Sequence, residues 1–182
     1  MAAKQTQGYS ALGIAIHWLM AVVLLGLFAV GLWMVDLNYY SAWYQTAPYW
    51  HKSVGVLLML LLALRIVLKL TGRMPAPNTG GSPKLVHFVH ALLYLLPLLL
   101  GLSGYLISTA DGRALEVFGL FQLPATLTLE GQEDISGEIH SYLAWGLIGI
   151  AALHALAALK HHLLDKDDTL NRMLKPNKEI SR

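Results

Sequence analysis

H-S-Y-L-A-W-G-L-I-G-I-A-A-L-H-A-L-A-A-L-K-H-H, residues 140–162, carries no charged residue between His140 and Lys160. A run of that kind is long enough to cross a bilayer, which takes roughly 20 mostly apolar residues in an α-helix. His140 and His154 are 14 residues apart, which on a helix is about 21 Å along the axis with an offset of only about 40°. Both rings therefore face one way at two depths. No single metal ion reaches both, because imidazole binds a metal at roughly 2 Å. Two separate cofactors are the economical reading.

Outward from this segment lie three more apolar stretches, so that spans are predicted near 12–35, 50–70, 86–109 and 139–160. With 55% hydrophobic and 13% charged residues, the 182-residue chain reads as one all-α integral membrane four-helix bundle. The first stretch is too long for a secretory signal and has no small-residue cleavage site after it, so it is read as a retained helix. There are no cysteines. That excludes disulfides, iron–sulfur clusters, thiolate metal sites and covalently attached c-type haem. A formal charge of +2 gives no footing for nucleic-acid binding.

Charge in the connecting segments sets the expected orientation. Residues 36–49 hold Asp36 and no Lys or Arg, and Tyr39, Tyr40, Trp43, Tyr44, Tyr49 and Trp50 form an interfacial aromatic belt there. From Lys69 to Lys84 there are three basic residues, Lys69, Arg73 and Lys84, and no acid; Pro75, Pro77, Gly80, Gly81 and Pro83 mark this segment as a loop. The third connection sets Arg113 against Asp111, Glu116, Glu130, Glu133, Asp134 and Glu138, and the tail from Lys160 is again basic. Positive residues stay inside, so both termini are expected in the cytoplasm, with only Lys52 and Arg113 of the basic residues outside. Leu115, Val117, Phe118, Leu120 and Phe121 form an apolar cluster expected to act as a lid on the outer end or along the interface.

Ionisable groups inside a membrane are costly and mark functional sites. Of eight histidines, His17, His51, His140 and His154 fall within or just inside the predicted spans. Matching depths pairs His51 with His140 near the outer face and His17 with His154 near the cytoplasmic face. Two imidazoles fill both axial positions of a haem iron, an arrangement suited to electron transfer. Interior histidines hydrogen-bonded to neighbouring helices are the alternative. Arg65 shares a face with His51 at the level of the inner pair, where it meets a haem propionate or else snorkels to the interface. Gly55, one turn after His51, leaves room for a flat ring or serves helix packing. Lys160 and His161 prolong the histidine stripe to the cytoplasmic boundary, as a proton-supplying quinone site or as the basic cap of a helix C-terminus. His162 turns elsewhere. His87 and His90 are read as interfacial histidines bonded locally, or as part of the same surface.

These residues resemble the bacterial cytochrome b561 family over almost the whole chain. The resemblance rests on I-A-I-H-W-L at 14–19, H-K-S-V-G at 51–55 with Arg65 after it, H-F-V-H-A-L-L-Y-L-L-P at 87–97 and F-G-L-F-Q-L-P at 118–124. The 140–162 segment and D-K-D-D-T-L-N-R-M-L-K-P at 165–176 complete it. It implies a multi-pass bacterial inner-membrane protein with two haem b groups on His17, His51, His140 and His154. It also implies electron exchange with ubiquinone near the inner haem, which favours His161, and superoxide as a donor in some members. A lysine in the second connection of such proteins belongs to that site. Here M-P-A-P-N-T-G-G-S-P-K at 74–84 leaves Lys84 as the nearest, displaced candidate.

A small-molecule or protein donor at the outer side, quinone within the membrane and surrounding lipid are thus the expected partners. A haem-bearing anchor for a separate redox subunit, or a histidine-lined metal or proton transporter, are the competing readings; the transporter lacks intramembrane carboxylates. The acidic outer connection repels an anionic donor unless Lys52 and Arg113 outweigh it locally.

Overall fold

The computed structural model describes residues 8–75, 82–129 and 131–176. Pro77, Gly80, Gly81 and Glu130 of the predicted loops lie outside the described residues. Four helices dominate: α1 (Ala11–Val35), α2 (Thr46–Leu70), α3 (Pro83–Ser108) and α4 (Gln132–Leu163). They have 25, 25, 26 and 32 residues, or about 37 to 48 Å at 1.5 Å per residue. All four are long and apolar enough to cross a membrane. The fold is an all-α four-helix membrane bundle.

Local chemistry fixes the helix ends. Ser10 Oγ accepts the Gly13 N–H at 3.1 Å and starts α1. Pro83 opens α3, where its missing N–H costs nothing. Glu133 and Asp134 occupy the first turn of α4, and Lys160, His161 and His162 its last turn, each suiting the helix dipole. Gln132 also ties α4 to the end of α3, its amide donating to the Leu106 carbonyl at 2.7 Å. Three helices begin earlier than hydropathy suggests, α4 by about two turns. Its first residues, Q-E-D-I-S-G-E, are polar, so apolar patterning does not register them although their charges favour a helix start.

The helices pack as two pairs. Contact is most extensive between α3 and α4, then between α1 and α2; α2 also touches α3, whereas α4 meets α1 and α2 only slightly along the backbone. Leu58, Leu62, Leu68 and Leu147 supply most of the buried apolar core of the spans. Val22, Leu25, Leu60, Leu102 and Leu156 instead face outward, a distribution suited to lipid rather than water. One end of the bundle carries the start of α1 and the end of α4. There Trp18 Nε1 donates to the Met173 carbonyl at 2.8 Å, binding the C-terminal segment to α1.

The opposite end is covered by a feature that the helical periodicities do not announce, an antiparallel hairpin of β1 (Leu115–Val117) and β2 (Phe121–Leu123). Its turn puts Phe118 and Gly119 at φ 51° and 69°, closed by a Leu120 N–H to Val117 carbonyl bond of 2.9 Å. Positive φ is routine for Gly119 and strained for Phe118. The Phe118 N–H is held by Ser53 Oγ at 3.1 Å, and Ser53 is fully buried. Leu115 and Val117 are buried against the bundle whereas Leu120 and Phe121 are exposed, so of the apolar cluster at 115–121 it is β1 that packs on this end.

Candidate cofactor sites

Two pairs of imidazoles stand between the helix pairs. His51 of α2 and His140 of α4 have ring centres 6.3 Å apart, and His17 of α1 and His154 of α4 are 6.4 Å apart. Both pairs have nearly the same interplanar angle, 69° and 70°. The first pair lies toward the hairpin end and the second toward the start of α1 and the end of α4. Two metal–imidazole bonds of about 2.0–2.1 Å, plus the ring radii, place the centres of trans imidazoles at about this spacing. Among the described residues no group of three or more His, Asp or Glu converges as a metal cluster. Two imidazoles alone hold a bare ion poorly, but suffice where a macrocycle supplies the other ligands. The residues present therefore fit haem.

Small residues and hydroxyls set these rings. A Cβ added at Gly31 would come within 3.3 Å of His51 Cε1, and one at Gly104 within 3.3 Å of His140 Cε1. Glycine at each position lets a ring lie against the neighbouring helix backbone. Ser103 Oγ is 3.0 Å from His140 Nδ1 and 3.1 Å from the Leu100 carbonyl. The hydroxyl's one proton goes to that carbonyl, so it accepts the Nδ1–H of His140 and leaves Nε2 as the unprotonated nitrogen, the form a metal takes. His51 Nδ1 is buried without a hydrogen-bond partner. Nothing lies within 4 Å of a Cβ built on Gly55, so open space adjoins α2 one turn from His51.

Near the termini the surroundings are cationic. Arg65 donates from Nε to the Tyr94 hydroxyl at 3.2 Å and from Nη1 to the Gly13 carbonyl at 3.5 Å. The Gly13 carbonyl lies one turn of α1 before His17, so the guanidinium sits at the level of the inner pair. It is thus partly enclosed at the bundle end, not extended into the interface. Lys69 Nζ lies 4.6 Å from the centre of the Tyr94 ring. His87 is bonded locally, Nδ1 to the Pro83 carbonyl at 2.6 Å. His90 is not at the surface expected for it: its ring centre is 5.3 Å from that of His154, too close for a second trans ligand.

Beyond the inner pair, His161 Nδ1 is 2.8 Å from Asp165 Oδ2 and 3.4 Å from Asp167 Oδ2. Lys160 Nζ reaches the same Asp165 oxygen at 2.7 Å. The bond from the Lys160 ammonium, with its charge and that of His161, holds the Asp165 carboxyl below the usual carboxylate range. Lys84 is exposed in the first turn of α3.

Ser103, Gly31, Gly104, Tyr94 and Asp165 were not singled out by sequence. The first and third stand in G-L-S-G at 101–104, where small and hydroxyl residues in an apolar helix mark a close approach of another helix. The remainder depend on which way each helix is turned.

Known proteins are similar to this chain. The family model described as prokaryotic cytochrome b561 matches residues 8–176. The chain is 48% identical to "Cytochrome b561 homolog 2" of Escherichia coli over 170 residues, 91% of this chain and 90% of the relative. It is 33% identical to "Probable superoxide oxidase CybB" of Yersinia pestis over 172 residues, 91% and 95% of the two chains. It is 29% identical to "Cytochrome b562" of Cereibacter sphaeroides over 177 residues, 94% and 98% of the two.

Proposed function

The chain belongs to the prokaryotic cytochrome b561 family, the haem-binding electron-transport proteins of the bacterial inner membrane, and from that premise we propose a di-haem carrier linking an outer donor to quinone. One haem b is held by His51 and His140 and the other by His17 and His154. Both termini face the cytoplasm, as the charge of the connections requires. The observation that carries this reading is the pair of matched imidazole spacings, 6.3 and 6.4 Å, at two levels of one helix.

Haem held by these histidine pairs would supply one-electron redox chemistry, suited to electron transfer rather than to binding substrate. The chain's own residues do the rest. Ser103 fixes the tautomer of His140, Gly31 and Gly104 make room for the rings, and the open face beside Gly55 accepts part of a flat macrocycle. Arg65 offers a guanidinium to a haem carboxylate. At the cytoplasmic end His161 exchanges a proton with a quinone, and Lys160 and Lys84 give the site its positive charge.

The outer donor is a small one-electron reductant. Superoxide is supported by the name of the Yersinia pestis relative. Arg113 is tied to Asp111 at 2.6 Å, which leaves Lys52, next to His51, as the cation that offsets the acidic outer surface.

The deciding measurement is haem content with a reduced-minus-oxidised spectrum of purified protein. Two six-coordinate low-spin haems per chain are expected. One haem per chain after full reconstitution would defeat the pairing.

A further inference from the structure

After α4 the chain turns back on itself. The Leu164 and Asp165 N–H groups both point to the Lys160 carbonyl, at 2.8 and 3.3 Å, and the Asp167 N–H bonds the His161 carbonyl at 3.0 Å. Lys166 completes the reversal at φ 55°, a left-handed conformation that a lysine adopts only at a cost. The reversal sets Asp165 against the His161 ring at 2.8 Å. His161 is 27% exposed and Asp165 39%, so the pair straddles the boundary between bundle and water.

We propose that Asp165 is the positioning residue of the quinone site, holding His161 as the Nδ1–H tautomer so that Nε2 is the nitrogen that exchanges a proton with the quinone. This rests on the assignment of His161 to that site. A carboxylate only accepts hydrogen bonds, and a neutral imidazole has a single N–H. With Nδ1–H given to Asp165, Nε2 is left open to take a proton. Once it does, the resulting imidazolium faces an anion across the same 2.8 Å contact. Lys160 keeps Asp165 ionised through its own 2.7 Å contact, so the carboxylate acts as a fixed anion and the histidine as the proton carrier.

The chemistry balances. Reduction of a quinone to a quinol takes two electrons, supplied by the reduced haems, and two protons. His161 gives one proton from Nε2 to a quinone carbonyl oxygen, returns to the neutral Nδ1–H form and is reprotonated from water. Water supplies the second.

The test uses the purified haem-loaded protein, reduced and mixed with a short-chain water-soluble ubiquinone. Asp165→Asn is expected to slow reoxidation by roughly 10-fold or more with both haem spectra unchanged, and Asp165→Glu to recover most of the rate. Asp165→Asn added to His161→Leu is expected to slow it no further than His161→Leu alone. In nitrogen-15 spectra, His161 is expected as one Nδ1–H tautomer in the parent and as a mixture in Asp165→Asn. A wild-type rate in His161→Leu would sink the quinone-site reading itself. Slow His161→Leu beside an unchanged Asp165→Asn would overturn the role of Asp165 alone, as would an additive double variant or an unaltered tautomer.

Discussion

Ser103 and His140 are joined across α3 and α4 by a 3.0 Å contact whose direction is set by the Leu100 carbonyl. The second nitrogen of the proposed haem ligand His140 is thereby anchored to a helix rather than to water. Groups in this position typically govern metal affinity by 10–100-fold. Ser103→Ala is expected to leave α3 helical and the inner haem in place. It should weaken retention of the outer haem within that range, read as haem lost per chain during dilution. Equal loss of both haems would point to general unfolding.

The histidine pairs separate by single substitutions. His51→Ala or His140→Ala should remove the outer haem preferentially, and His17→Ala or His154→Ala the inner one. Low-temperature spectra that resolve the two haems would check this. A pattern grouping His51 with His154 would mean that the ligands are paired otherwise.

Gly104 has no room for a side chain on the His140 side, since a Cβ would meet the ring at 3.3 Å. Gly104→Val should displace the ring and cost about 1–3 kcal/mol of local packing. The expected result is loss of the outer haem signal with helix content unchanged by circular dichroism. Gly55→Ala, facing open space, is the informative companion. It should lower haem content, and unchanged haem content would show that the ring does not lie against that face.

Arg65 puts a positive charge at the level of the inner histidine pair, its Nη1 donating to the Gly13 carbonyl one turn before His17. A cation favours the reduced state of a nearby haem because that state carries one more electron. Arg65→Met should therefore lower the midpoint potential of the inner haem and leave the outer one almost unmoved, as followed by redox titration.

If superoxide is the donor, Lys52→Glu should slow haem reduction by superoxide several-fold at low salt, and the difference should shrink as ionic strength rises. Arg113→Gln should have a smaller effect, because Asp111 already neutralises that guanidinium. No salt-dependent difference for Lys52→Glu would leave superoxide without an electrostatic route.

Much of this arrangement was legible in the chain. The four spans follow from hydropathy, and the 14-residue interval from His140 to His154 states two depths on one face without any structure. Relations between helices were less accessible. Periodicity says that His90 lies near the start of a helix, but only the rotation of α3 against α4 turns it toward His154. Asp165 reaches His161 because the chain reverses through a strained Lys166, and no apolar pattern encodes that turn. The hairpin at 115–123 has strands of three residues, too short for alternation to stand out.

The division of the bundle into α1 with α2 and α3 with α4 bears on biogenesis. Each histidine pair takes one member from the first helical hairpin and one from the second. On the proposed ligation the haems would be the mortar of the assembly, bridging two halves that touch each other sparingly along α4. Insertion of two hairpins into the membrane would precede haem capture, and capture would complete the tertiary structure. The chain expressed as two polypeptides divided between α2 and α3 should accordingly reassemble in cells that make haem, and should separate when haem synthesis is starved.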